Sequence, residues 1–229
     1  MANERYFTPA TFSFLEDLAD NNNRPWFEKN KPRYEAHVRE PAMRFITDFR
    51  PLLKKISPHF RADPRPVGGS MFRIYRDTRF SKDKSPYKTY TGIQFRHELG
   101  KDAHAPGFYL HLQPGDAFMG LGCWHPDSGS VKKIREAIVE DPTGWRRAAR
   151  GRKFTARFEL TGDSLSRHPR GFDPDHQLID DLKRKDFIGV TPVAQKTITG
   201  KGFLEEFAEV CSDGRGLIRF LCKAVDAPF

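Results

Sequence analysis

Gly107–Trp124 reads GFYLHLQPGDAFMGLGCW, two alternating runs around a Pro114-Gly115 pair. Side chains alternate across a strand, so Phe108, Leu110 and Leu112 share one face, and Tyr109, His111 and Gln113 the other. A two-residue Pro-Gly connection between such runs predicts an antiparallel hairpin, with strands over 107–113 and 116–124. Gly120 and Gly122 have the same parity in the second strand. Glycine weakens a strand, so the pair predicts that something approaches closely there, and a packed helix is the expected cause.

Upstream, 91–97 and 72–76 read as two more strands. In the first, Ile93 and Phe95 oppose Gln94 and Arg96. In the second, Phe72 and Ile74 oppose Arg73 and Tyr75. With these strands adjacent, one sheet face carries Arg73, Tyr75, Gln94, Arg96, Tyr109, His111 and Gln113. Those donors and rings suit an anion or a stacked base, and the same pattern also fits the solvated side of an antiparallel sheet. Helices flank this region. Thr8-Pro9 opens one that ends at Asn21–Asn23, and a second helical region runs over 24–57, where Pro41 and Pro51 must start new segments or kink it. After the sheet, Ser128 and Ser130 are candidate caps for a helix through Ile138, and Asp141-Pro142 opens another. Phe154, Phe158 and Leu160 return to strand, Asp173-Pro174 starts a helix through Leu182, and 187–193 is strand-like. Two closing helices are interrupted at Gly214 and Gly216. Helices, then a meander, then mixed elements predict an α+β fold: an antiparallel sheet packed with helices from both termini, in one domain over 1–229.

Before the hairpin lies Phe72–Tyr90, FRIYRDTRFSKDKSPYKTY, where six cations share nineteen positions with two carboxylates and supply +4 of the chain's net +9. Such density is costly unless an anion or solvent covers it. One reading makes Arg76, Arg79, Lys82 and Lys84 a phosphate clamp oriented by Asp77 and Asp83. The other pairs those acids with Arg76, Arg79 or Lys84 to pin a long loop. In both, Phe80 is expected to plug the loop into the core. The spacing R-x-x-R-D-x-R-F-x-x-D-K-x-x-Y, at Arg73, Arg76, Asp77, Arg79, Phe80, Asp83, Lys84 and Tyr87, resembles the signature of the bacterial and fungal domain-of-unknown-function family number 2461. Family members are about this long, so the resemblance extends over nearly the whole chain. It implies membership and no activity.

Net charge favours anionic partners: nucleic acid, a nucleotide or another phosphorylated ligand. Three cysteines without a C-x-x-C predict buried thiols in a reducing compartment. The amino-terminal MANERYFTPATF has no apolar core and no run approaches membrane-spanning length, so a cytoplasmic protein away from membranes is expected. Neither His125-Pro126-Asp127 nor Asp102-Ala103-His104 has a strong ligand spacing, so no metal and no cofactor is expected. P-loop, zincin and serine-hydrolase motifs are absent. The candidate ligand-binding residues are Arg73, Tyr75, Arg76, Arg79, Lys82, Lys84, Arg96 and Tyr109, with Asp77 and His111 as candidate acid–base groups. Trp145–Arg157, with six cations and no acid, reads as a solvated face or a second phosphate patch. Three functions compete: a module binding an anionic ligand, an enzyme acting on a phosphorylated substrate, and a protein-interaction domain.

Overall fold

The computed structural model describes residues 4–100 and 105–229, which leaves Asp102-Ala103-His104 and the first three residues outside the described part. Helix α1 (Pro9–Asp20) begins as the Thr8-Pro9 pair predicts, with the Thr8 N–H donating to the Thr11 hydroxyl at 3.1 Å. Helix α2 (Arg24–Tyr34) is capped by the Asn23 side chain. It passes through one π-helical turn, Glu35–Arg39, into α3 (Glu40–Ile56). Pro41 offers no N–H to the His37 carbonyl, and the buried Thr11 hydroxyl donates to that carbonyl at 2.7 Å. Pro51 lies inside α3 and starts no new segment.

The sheet is fully antiparallel, in the order β1 (Thr91–Arg96), β2 (Gly107–Leu112), β3 (Phe118–Cys123), β5 (Phe187–Pro192), β4 (Glu159–Thr161). The hairpin around Pro114-Gly115 is β2–β3, and Gly115 takes the left-handed backbone (φ 74°) that its turn requires. The expected strand over 72–76 is not one. Only single bridges, Met71 to Ile93 and Tyr75 to Tyr87, tie this extended segment to its neighbours. Phe154 is also not strand: it sits in the short helix α6 (Arg152–Thr155), which follows α4 (Ser128–Glu140) and α5 (Pro142–Arg150). Helix α4 is capped by Asp127, whose carboxylate accepts from the Gly129 and Ser130 N–H groups, and not by either serine. The helix foreseen from Asp173 is only α7 (Ile179–Leu182), with turns before it. A further turn, α8 (Gln195–Ile198), precedes α9 (Phe203–Asp213) and α10 (Arg215–Ala224), which meet at Gly214.

One sheet face is the core. Ile93, Phe95, Phe108, Leu110, Met119, Leu121 and Phe187 are buried there. Phe95 meets Phe49 of α3 at 4.6 Å and Phe207 of α9 at 5.7 Å between ring centroids. Phe45 and Phe203 stack at 5.6 Å, so helices from both ends of the chain close on the same layer. A Cβ on Gly214 would lie 1.9 Å from Leu121, so only glycine lets the α9–α10 junction come this close to β3. The three cysteines are free and buried, and burial pushes the Cys222 thiol up to about 12. Among the described residues no helix is long and apolar enough to cross a membrane.

Candidate functional site

The register of the ladders places the other sheet face residue by residue. One cross-strand row is Gly92, His111, Phe118; the next is Gln94, Tyr109, Gly120, Val190; the third is Arg96, Gly107, Gly122, Ile188. Glycine at 107, 120 and 122 leaves the centre of this face without side chains. The space above it is a cavity of about 330 Å³. Its walls are Tyr109, His111, Phe118, Trp124, Ile188 and Val190, with Phe72 and Tyr90 contributed by the cationic stretch. Gly120 and Gly122 therefore face the cavity and not a helix, which corrects the expected cause of that pair. Gly122 has a further reason: its φ is 130°, and a Cβ there would lie 2.0 Å from the Phe187 carbonyl oxygen. Gly92 is bare because the Tyr109 hydroxyl and the Phe72 ring occupy its side-chain position, 2.6 and 3.0 Å from where a Cβ would stand.

Polar atoms on this face form a string. Tyr109 and His111 Nδ1 are 2.9 Å apart, and His111 Nε2 is 3.0 Å from Gln113 Oε1. An amide oxygen only accepts, so Nε2 carries the proton and Nδ1 accepts from the Tyr109 hydroxyl. Both groups stay neutral: burial raises the Tyr109 pKa and lowers that of His111. The imidazole is sandwiched between Phe118 (4.6 Å, 10°) and Tyr90 (4.5 Å, 30°).

Tyr90 also borders a second, polar cleft of about 630 Å³, lined by Arg76, Asp77, Asp83, Ser85, Lys88 and Gln113 among others. Here most of the cationic motif is tied to itself. Arg76 pairs with Asp83, which also accepts from the Ser85 N–H and hydroxyl, and these donors hold its carboxyl well below the usual range. Arg79 pairs with Asp77 at 2.7 Å and brings its pKa down to about 2. Lys84 donates to the Thr78 carbonyl at 2.9 Å, and Lys82 is exposed. Tyr87 is buried and stacks on Phe27 of α2 at 4.1 Å, with its N–H on the Asn22 side chain. Phe80, expected in the core, is instead 94% exposed, with the Arg79 guanidinium 5.7 Å from its ring centre. Lys88 lies half-buried, 5.4 Å from the centre of the Phe72 ring and 6.0 Å from that of Tyr90, on the ridge between cleft and cavity. Burial, then the charge of Arg73, lowers its pKa. Neither Lys88 nor Arg73 makes an ion pair among the described residues.

Of the residues expected from the sequence, Tyr109 and His111 meet in the cavity, and Arg76 and Asp77 line the adjoining cleft. Arg73 is exposed beside Lys88. Tyr75 turns away onto Phe27 and Tyr87, and Arg96 donates to the Gly68 carbonyl at 3.1 Å. The face parity assigned to 72–76 was inverted: Phe72, not Arg73, stands over Gly92, because a segment held by isolated bridges does not keep the period of a ladder. Phe72, Tyr90, Phe118, Trp124, Ile188, Val190 and Lys88 were not foreseen as site residues. The signal for Phe118 was available, since it shares parity with Gly120. That for Ile188 and Val190 was not, since it needs the β3–β5 pairing. The other basic clusters are paired in part: Arg150 with the buried Asp181, Arg157 with Glu209 and Asp213, Lys183 with Asp180. Among the described residues no group of three or more His, Cys, Asp or Glu is placed to hold a metal ion.

Fold and site together define an α+β protein with one sheet face in the core and a ligand-sized aromatic cavity on the other. The chain belongs to the family described as conserved hypothetical protein DUF2461, whose model matches residues 10–220. No curated protein and no solved structure matches it.

Proposed function

We propose that this protein binds a small organic anion, with its flat apolar body in the aromatic cavity and its negative group, a phosphate above all, at the rim beside Lys88 and Arg73. Lys88 carries the reading. A half-buried ammonium without a carboxylate partner among the described residues, next to a second cation, is an arrangement that an anion stabilises. The rings beneath it wall a cavity at the small end of the range for ligand sites, about 300–1,000 Å³. The neutral Tyr109–His111–Gln113 string fits an uncharged ligand body, so the ligand's charge belongs at the rim. A nucleotide has both parts. The motif's remaining arginines act in this reading as loop ties and not as a clamp, since Asp77 and Asp83 already occupy them.

Thermal-shift and calorimetric titrations with adenosine monophosphate, phenyl phosphate, adenosine and inorganic phosphate test this. The two aryl or nucleoside phosphates should raise Tm well above either fragment at equal concentration. Lys88→Met should remove the gain from the phosphate, and Gly120→Val, which fills the cavity, the gain from the body. Protection by inorganic phosphate alone, unchanged in Gly120→Val, would rule the cavity out.

A further inference from the structure

We infer that the ring seated in the cavity carries a hydrogen-bond donor, an N–H or O–H, and that Tyr109 selects it by accepting that hydrogen on its hydroxyl oxygen. The inference rests on the cavity reading above and narrows the class of ligand. Tyr109 and His111 line the cavity, and Gln113 lines the polar cleft beside it. The string they form fixes its own direction. His111 Nε2 lies 3.0 Å from the Gln113 amide oxygen, and Nδ1 lies 2.9 Å from the Tyr109 hydroxyl. In the opposite tautomer Nε2 would set a lone pair against the amide oxygen, two acceptors with no hydrogen between them. The tyrosine proton is therefore committed to Nδ1. Tyr109 makes no other hydrogen bond among the described residues, so its oxygen keeps lone pairs with nothing to accept.

Two features of the fold hold that oxygen where it is. A Cβ on the buried Gly92 would lie 2.6 Å from it, so any side chain at 92 would push it aside. The imidazole it faces is clamped between Phe118 and Tyr90, at 4.6 and 4.5 Å between ring centres, which fixes the imidazole plane. A donor on the ligand extends a chain in which every hydrogen points the same way, from ligand to Tyr109, from Tyr109 to His111 and from His111 to Gln113. Hydrogen bonds in such a chain polarise and strengthen one another. A ring without a donor covers the oxygen and leaves it unpaired.

Indole and benzofuran test this, since they match in shape and only indole carries an N–H. In titrations followed by NMR chemical shifts, indole should bind about fivefold tighter, the ratio that one net hydrogen bond gives. Tyr109→Phe keeps the ring and should bring the two to equal affinity. His111→Phe keeps an aromatic ring in the sandwich and frees the tyrosine proton. It should remove the indole preference and strengthen binding of quinoline, whose ring nitrogen only accepts, relative to benzofuran. Equal affinity of indole and benzofuran for the wild type, or an indole preference that survives in either variant, overturns the inference. If phenyl phosphate raises Tm while indole has no advantage, the donor requirement falls and the binding reading stands. If phenyl phosphate, indole and benzofuran all fail to bind, both fall.

Discussion

At the scale of the residue, the site is defined as much by missing side chains as by present ones. Gly120 and Gly122 look equivalent in sequence and are not. A Cβ on Gly120 would meet its nearest neighbours at 3.8 Å, an ordinary contact, whereas one on Gly122 would lie 2.0 Å from a backbone oxygen. Gly120→Ala should therefore leave stability unchanged or raise it by up to about 1 kcal/mol, since glycine is a poor strand residue. Gly122→Ala should cost about 3 kcal/mol or more through backbone strain at positive φ and the clash. Urea denaturation of the two variants checks the contrast. His111 gives a second test. Its folded pKa lies below the ordinary value of about 6.5, chiefly through burial and against the weaker opposing pull of the Gln113 hydrogen bond and Asp116. Between the folded and unfolded values the unfolded chain binds the extra proton, so this contribution to stability is complete above about pH 6.5 and falls on acidification. The Tm advantage of the wild type over His111→Gln should be largest near pH 7.5 and shrink by pH 5. A constant difference across that range would show that His111 does not titrate against folding.

At the scale of the element, the hairpin, β1 and the parity of three strands were legible because burial on one face imposes a strict period of two. The segment 72–76 was not, because its neighbours hold it by two bridges and side-chain plugs instead of a ladder. Those plugs also separate two aromatics that the motif presents alike. Tyr87 is buried on Phe27 and ties the cationic loop to α2, while Phe80 lies in solvent at the loop's far side. A Phe among charges usually anchors its loop, and here Tyr87 and the Arg76–Asp83 pair already do so. Tyr87→Ala should cost about 3–5 kcal/mol, the range for truncating a buried aromatic. Phe80→Ala should stay within about 0.5 kcal/mol. Chemical denaturation of both variants tests whether the loop is pinned where the structure pins it. A costly Phe80→Ala would mean that this ring packs against the fold instead of lying in solvent.

At the scale of the whole molecule, the count of 39 lysines and arginines overstates how much positive surface is available to a partner. Composition counts cations, and only the fold shows which acids, distant in sequence, hold them: Asp181 for Arg150, Glu209 and Asp213 for Arg157. The cavity was illegible for the same reason. Its floor is drawn from β2 and β3 and its far wall from β5, some seventy residues later in the chain. Charge pairing then separates a small-anion site from a nucleic-acid surface. Within 72–90, Arg76 and Arg79 are occupied by carboxylates, which leaves Arg73, Lys82, Lys84 and Lys88 without an ion pair among the described residues. A single strand neutralising those four would release counterions with a log–log salt slope of about −3, at roughly −0.7 per phosphate contact. We expect a labelled single-stranded oligonucleotide, followed by fluorescence anisotropy, to bind weakly with a slope no steeper than that, and adenosine monophosphate to compete for the same protein. A slope beyond about −5 would require cations outside 72–90, those of 146–157 foremost, to join the contact with phosphates. The partner would then be an extended polyanion, and the aromatic cavity a subsite for one of its bases.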